Sequence, residues 1–308
     1  MNFLNKKQVE YWYPLITGML KGEICKYLTR NGFWNIDIPV LNESVANKPI
    51  NFKLDCYGMQ TELSSSNALK LGVASVIYNK VFCCSHVFRN EIIEDNLHLV
   101  EFSIVEAEWI EKDYRKLINE IILIFKYGIK SYNEFIEKNQ LRSILPAAPN
   151  DIKIDVITYE KMLMTIRKVD NDLAPEEHGV MYDNRFSELI KRPTIICFYP
   201  PSASWRAKTI NKKKALIFNF ILPNGYGELF EFSIRETDFN KIKGKFLSAG
   251  VLNSYSWYLK GLQHNSANAA GFGLGIERFA NWLVQSQNIK KMQLFPRTQR
   301  YFRREKNE

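Results

Sequence analysis

The sequence predicts an α+β protein, a mixed and mostly antiparallel sheet flanked by helices, and three observations carry this. Apolar residues recur at helical spacing over two long stretches, roughly 8–31 and 110–139. Two hairpins, within 81–108 and 216–233, pair neighbouring strands antiparallel. A glycine-spaced strand at 271–275 then runs directly into an apolar helix. A chain of 308 residues can bury one large core or two small ones. Hydrophobic residues at 46% and charged residues at 24% are ordinary for a soluble globular protein. The chain has no signal peptide and no apolar run of membrane-spanning length, so a cytoplasmic protein with no membrane partner is expected.

The first helix follows from Val9, Trp12, Leu15, Ile16, Met19, Leu20, Ile24 and Leu28, with Gly32 as its stop. Residues 42–55 read as a loop. The apolar run Val81 to Cys84 leads into Arg89 and Glu91, whose i, i+2 spacing sends both side chains from one strand face. Ile92 to Asn96 read as a turn, and a second strand alternates Leu99, Glu101, Ser103 and Val105 against Val100, Phe102, Ile104 and Glu106. A hairpin carrying Arg89, Glu91, His98 and Phe102 could supply an anion clamp, an adenine-edge acceptor and a stacking ring. An ordinary hairpin with surface charges accounts for the same residues.

The second long helix spans Ile110 to Asn139 and is closed by Leu145 to Pro149. Within 150–215, Tyr159 to Lys168 reads as helix and Pro193 to Tyr199 as a buried strand, and no chemistry is assigned there. Leu216 to Leu222 is a buried strand, and Glu228 to Ser233 is its partner after the Pro223-Asn224-Gly225 turn. In an unbulged strand Glu228 and Arg235 face opposite ways, so a common site needs a bulge between them. Gly271, Gly273 and Gly275 strip side chains from one strand face, so a flat ligand can lie against the backbone. Arg278 follows at a helix start, where backbone N–H groups also favour an anion. The GxGxG spacing, with no βαβ unit around it, is not the dinucleotide fingerprint.

The net charge of +9 comes from widely spread Lys and Arg, which suits solubility better than a nucleic-acid face. One local concentration lies between Lys290 and Glu308, seven Lys and Arg against two Glu. The five cysteines lack metal-ligand spacing and a pairing framework, which points to core packing in a reducing compartment.

Val87-Phe88-Arg89-Asn90-Glu91 with His98 to Glu108, and Gly271 to Arg278, resemble motifs 2 and 3 of the class II aminoacyl-tRNA synthetases. Tyr27 to Phe33 with Ile36 to Leu41 resembles motif 1. Asn224 to Leu229 followed by Arg235, and Asn288-Ile289 to Phe295-Pro296-Arg297, resemble the aspartyl/asparaginyl branch. The likeness covers nearly the whole chain. It implies the class II fold in a single catalytic domain over 1–308, with a connecting subdomain at about 140–215 and no anticodon-binding domain. The layout is most similar to stand-alone asparagine synthetase-related paralogues.

The resemblance also assigns roles. Arg89 would hold the α-phosphate of ATP and the substrate carboxylate, and Glu91 would accept from the adenine amino group. Phe102 would stack on one adenine face, with Arg278 over the other and on the γ-phosphate, and Gly273 and Gly275 against the nucleotide. His98 would lie near the outgoing pyrophosphate. Glu228 would bind Mg²⁺, with Glu231 three residues on as a second ligand. Arg235 would read an Asp carboxylate or Asn carboxamide, with a structural salt bridge as the alternative, and Ser66 would lie beside the amino acid. Arg89, Arg278 and Glu228 are thus the candidate catalytic residues.

Several positions depart from the family pattern. Leu97 replaces an Arg, Ala68 a Gln, Ala269-Ala270 a His-Gly, and Glu231-Phe232 stand where small residues are usual. The loop at 42–55 lacks the usual Glu-Gly-Ala core. The ATP half is largely kept and the amino-acid half altered. The expected activity is therefore adenylation of an aspartate- or asparagine-like acid, with transfer of the acyl group to ammonia or another amine acceptor. Transfer to tRNA, less favoured, or to a protein is the alternative, and a non-catalytic nucleotide-binding paralogue is a third. A homodimer through the motif 1 helix is implied as well.

Overall fold

An eight-stranded sheet runs through the protein, and its strand order decides which residues meet. The computed structural model describes residues 9–43, 51–90, 95–170, 180–248, 250–262 and 269–304. The strands are β1 (Trp34–Asn35), β2 (Lys80–Phe88), β3 (Glu101–Ile110), β4 (Asp155–Thr158), β5 (Thr194–Cys197), β6 (Ile217–Leu222), β7 (Gly227–Ile234) and β8 (Ala269–Gly275). They lie in the order β1-β2-β3-β8-β7-β6-β5-β4. Only the outer pairs, β1 with β2 and β4 with β5, are parallel; the four interior strands pair antiparallel with their neighbours. The mixed, mostly antiparallel sheet expected from the sequence is present.

Among the described residues the longer helices are α1 (Tyr13–Arg30), α2 (Ala68–Tyr78), α3 (Tyr114–Lys138), α4 (Tyr159–Arg167), α5 (Val180–Leu189), α6 (Phe239–Ser248), α7 (Ser256–Leu262) and α8 (Ile276–Leu283), and a short one, α9 (Gln299–Arg304), follows. In α1 the face Ile16, Leu20, Ile24 and Leu28 is buried, whereas Leu15 is 57% exposed and does not belong to the core. α3 begins later than its apolar pattern suggests. Ile110 ends β3, and Asp113, whose side chain accepts from Arg115 N–H, caps the helix. Below it Leu117, Ile121, Ile124, Phe125, Ile129, Tyr132 and Ile136 all face inward.

Residues 42–55 are not only a loop. Leu41–Glu43, Lys53–Cys56 and Met59–Leu63 form a small antiparallel sheet, closed by a turn in which Asp55 Oδ1 accepts from Gly58 N–H. Residues 44–50, where the Glu-Gly-Ala core would fall, lie outside the described residues. The strand and helix expected in 150–215 are β5 and α4, and β4 and β5 extend the main sheet. No helix among the described residues is long and apolar enough to cross a membrane.

The required bulge is in β7. Phe220 pairs with Phe230 and Ile221 with Glu228, so Leu229 is the extra residue. One residue of slip reverses which face every later side chain takes.

α3 meets α8 at Gly128, where a Cβ would fall 2.3 Å from Phe279 Cε1. Phe279 cannot easily retreat, because it is fully buried and stacked on Phe125 at 5.5 Å. Gly128→Ala should therefore destabilise by about 1–3 kcal/mol through overpacking. Gly18→Ala, on the exposed side of α1 with nothing within 4 Å, should instead stabilise by roughly 0.5–1 kcal/mol. Thermal unfolding by circular dichroism would show the two midpoints moving in opposite directions; a neutral Gly128→Ala would sink the close-packing argument.

Candidate active site

β3, β8 and β7 lie side by side, and over them opens a cavity of about 310 Å³. At one end Arg89, His98, Phe102 and Arg278 line the wall; at the other, Ser66, Arg206 and Arg235 do.

Arg89 leaves the end of β2 with its N–H on the Val100 carbonyl at 2.9 Å. Its guanidinium lies over the Phe102 ring, 5.2 Å from the centroid. The cation and the ring that were to clamp opposite ends of a nucleotide thus form a cation–π pair. Arg278, at the start of α8, donates from Nη1 to the Glu228 carbonyl at 2.6 Å and from Nη2 to the Leu97 carbonyl at 3.0 Å. It joins the turn before β3 to β7. His98 sits on the same wall with Nδ1 2.8 Å from the Asp95 carboxylate. Glu91 and the turn through Glu94 lie outside the described residues. Gly273 and Gly275 line the cavity, as a strand cleared for a flat ligand should. Gly271 does a different job: a Cβ there would meet the Glu108 carboxyl at 2.3–2.5 Å, so it makes room for a protein side chain.

The bulge brings Glu228 and Glu231 into the one cavity. Asn219 Nδ2 donates to Glu228 Oε2 at 2.7 Å and to Asp183 Oδ2 at 2.8 Å, and Tyr199 donates its hydroxyl proton to Asp183 Oδ1 at 2.6 Å. Burial, with the Glu231 and Asp183 charges adding to it, pushes the Glu228 carboxyl up to about 8. Burial also pushes Asp183 up to about 6. Asp183 comes from α5, in the segment to which the sequence assigned no chemistry. It stands 45 residues before Glu228, in no motif, and only the strand order brings them together.

At the other end the side chain at the centre is Glu108, fully buried and unassigned from sequence. It accepts from Arg235 Nη2 at 2.6 Å and Nε at 3.0 Å, and from Arg206 Nη2 at 2.8 Å. Arg235 Nη1 donates to Ser233 Oγ. The salt bridge held as the alternative for Arg235 is therefore present, and it lies in the cavity wall rather than away from it. Glu106, two residues earlier on the same face, accepts from Ser66 Oγ and from Asn67 N–H at 2.7 Å. Burial raises its pKa. Phe232 points away from the cavity and stacks on Phe218 at 5.4 Å, so of the Glu231-Phe232 pair only Glu231 alters the pocket.

A hard divalent cation has a fitting donor set here. Glu228 and Glu231 offer carboxylate oxygens, and Asn219 Oδ1 is buried with no partner among the described residues. Among those residues no three acidic, His or Cys side chains close into a metal cluster by themselves. Mg²⁺ would then take its remaining ligands from phosphate oxygens and water, as it commonly does.

The family model described as tRNA synthetases class II (D, K and N) matches residues 16–299. The asparagine–tRNA ligase of Lactococcus lactis subsp. lactis is 27% identical over 295 residues, covering 88% of this chain and 64% of the relative. That of Streptococcus mutans is 26% identical over 301 residues, with the same coverage. The chain thus spans 64% of the length of these curated relatives. The structure of asparaginyl-tRNA synthetase from Pyrococcus horikoshii complexed with asparaginyl-adenylate superposes with a TM-score of 0.87 at 24% identity, covering 94% of this chain and 69% of that one. A putative aspartyl-tRNA synthetase from Leishmania major superposes at 0.82 with 17% identity, covering 94% and 66%. At these identities the superpositions show the fold.

Asp183 and Glu228 both hold protons that the unfolded chain would release near the ordinary carboxylate range. Their contribution to stability is complete below that range and is lost as pH rises through about 6 for Asp183 and about 8 for Glu228. The unfolding midpoint without ligands should therefore fall across this window, and Glu228→Gln, which stays neutral, should flatten its upper part. An unchanged slope in that variant would show that Glu228 is not the titrating group.

Proposed function

We propose, from the premise that the chain belongs to the class II tRNA synthetases of the D, K and N group, that it activates an aspartate- or asparagine-like amino acid with ATP and passes the acyl group to ammonia or another small amine. The observation that supports this most is the joining of two unlike ends in one cavity. Arg89, Phe102 and Arg278 lie at one end, and the buried Glu108–Arg235 pair lies at the other. A nucleotide and an amino acid bound there would have their reacting groups between Arg89 and Glu228.

Both reactants are anionic, so the barrier is dominated by bringing the carboxylate to the α-phosphate. Arg89 and Arg278 lower it by placing fixed positive charge on the two sides of the phosphate chain. One carboxylate oxygen attacks the α-phosphorus; the bond to the β-phosphate bridging oxygen breaks, and pyrophosphate leaves with the electron pair. No general base is needed, because a carboxylate is already nucleophilic, and positioning carries the step. Mg²⁺, held by Glu228 and Glu231 together with phosphate oxygens, would neutralise charge on the polyphosphate. In the second half the amine nitrogen attacks the acyl carbon, AMP leaves with its bridging oxygen, and the nitrogen gives up a proton. His98, fixed by Asp95, stands by the exit of the first leaving group. The chain would act as one catalytic unit, with 140–215 as a connecting insertion that also supplies cavity residues, and would pair through α1 as a homodimer.

Aminoacyl transfer to tRNA is the second reading, favoured by the tRNA ligases among the relatives. The two differ in acceptor. Amide formation should release AMP with ammonia or hydroxylamine in the absence of RNA, whereas the tRNA reading requires binding of tRNA that weakens steeply with salt. In ATP–pyrophosphate exchange, Arg89→Ala should lower the rate by about 10²–10³-fold, the loss typical of a charge-stabilising donor. Its circular dichroism should match the parent, since Arg89 contributes no core packing. Exchange that survives in Arg89→Ala would place the site elsewhere.

A further inference from the structure

Resting on the proposed activation of an amino acid, we infer that Arg206 makes the far end of the cavity a receptor for a side-chain carboxylate rather than a carboxamide. Arg235 and Glu108 alone would form a neutral pair, one donor group beside one acceptor group, which suits the C=O and NH₂ of an amide. Arg206 changes the count. Its Nη2 donates to the same Glu108 Oε1 that accepts from Arg235 at 2.6 Å, so two guanidinium groups share one carboxylate and a net positive charge remains. Such a charge in a largely buried wall favours an anion over a neutral amide, whose carbonyl can accept from a guanidinium but cannot neutralise it.

The backbone fixes Arg206 in this place. Ala207 bridges to Arg235, Lys208 N–H donates to the Ile234 carbonyl at 2.8 Å, and the Arg206 carbonyl accepts from Glu236 N–H at 2.7 Å. The chain is thereby sewn to the end of β7, and the two arginines cannot drift apart. Arg206 lines the cavity, and its Nε–H is buried with no partner among the described residues, so it retains donor capacity for a ligand. The neighbouring acids offset this charge only in part. Glu106 has its pKa raised by burial and already accepts from Ser66 and Asn67, while Glu231, whose charge reaches Arg235, is exposed and therefore screened by solvent. Of the other titratable neighbours, Tyr258 is buried with its pKa raised and stays neutral, and the buried Glu236 faces the opposite charge of Lys245.

The test is equilibrium binding by calorimetry of two non-hydrolysable adenylate mimics, aspartyl- and asparaginyl-sulfamoyl adenosine, to the parent, Arg206→Gln and Arg206→Lys. The parent should bind the aspartyl compound at least about tenfold more tightly, a modest share of what one uncancelled charge a few ångströms away can give. Arg206→Gln should abolish or invert that ratio, and Arg206→Lys, which keeps the charge, should preserve its direction. A parent that prefers the asparaginyl compound, a parent that binds neither, or an unchanged ratio in Arg206→Gln would each overturn the inference. If Arg206→Gln fails to fold, the parent's own ratio decides. Binding needs no turnover, so absent pyrophosphate exchange with every amino acid would remove the activation reading while leaving this ratio measurable.

Discussion

A single extra residue in β7 sets the site. In a regular strand, the residues at 228, 231, 233 and 235 would be divided between the two faces of the sheet. With Leu229 bulged out, Glu228 joins Glu231, Ser233 and Arg235 on the cavity side. Phe230 and Phe232 then pack into the aromatic core beneath, against Phe220, Phe272 and Phe218. Core and site share this strand, so its register is held by hydrophobic burial. The polar face has no independent choice of position.

The polar face is expensive to bury and is satisfied accordingly. Glu108 is one of the least exposed charges in the described chain, and two arginines and a glycine are arranged around it. Removing one partner of such a group leaves a desolvated charge behind, which costs far more than the pair contributes. The acidic cluster around Glu228 takes the opposite solution. Asn219 and Tyr199 donate into it, yet burial still raises the pKa of both Asp183 and Glu228. One end of the cavity thus carries an excess of guanidinium charge and the other is poised to gain from a cation.

Much of this was legible in the sequence, for a specific reason. Arg89, Phe102, Arg278, Glu228 and Arg235 lie in or beside short motifs whose spacing reflects one strand or one helix start, and local periodicity encodes that directly. The need for a bulge was deducible too, because alternation alone put Glu228 and Arg235 on opposite faces. Glu108 closes the His98 to Glu108 stretch, but nothing local reveals that two arginines from elsewhere converge on it. Asp183 and Arg206 carried no local signal at all. They enter the site through strand order and through the pairing of residues 206–208 against the end of β7, which are properties of the whole sheet. The role of Gly271 was misjudged because a missing side chain does not say what fills the space.

The two hydrogen bonds of Arg278, to the carbonyls of Leu97 and Glu228, have a consequence for the order in which the protein is made. They span 181 and 50 residues of chain, and loops of that length close late relative to local hairpins and helices. During synthesis the hairpin of β2 and β3 and the helix α3 can form early, and even β6 and β7 can pair, but the wall between them is open until β8 and Arg278 have left the ribosome. A growing chain that lacks β8 therefore lacks one wall of the cavity. Ligand stabilisation becomes available only once β8 has joined the sheet, as a late selection for chains that have closed it correctly.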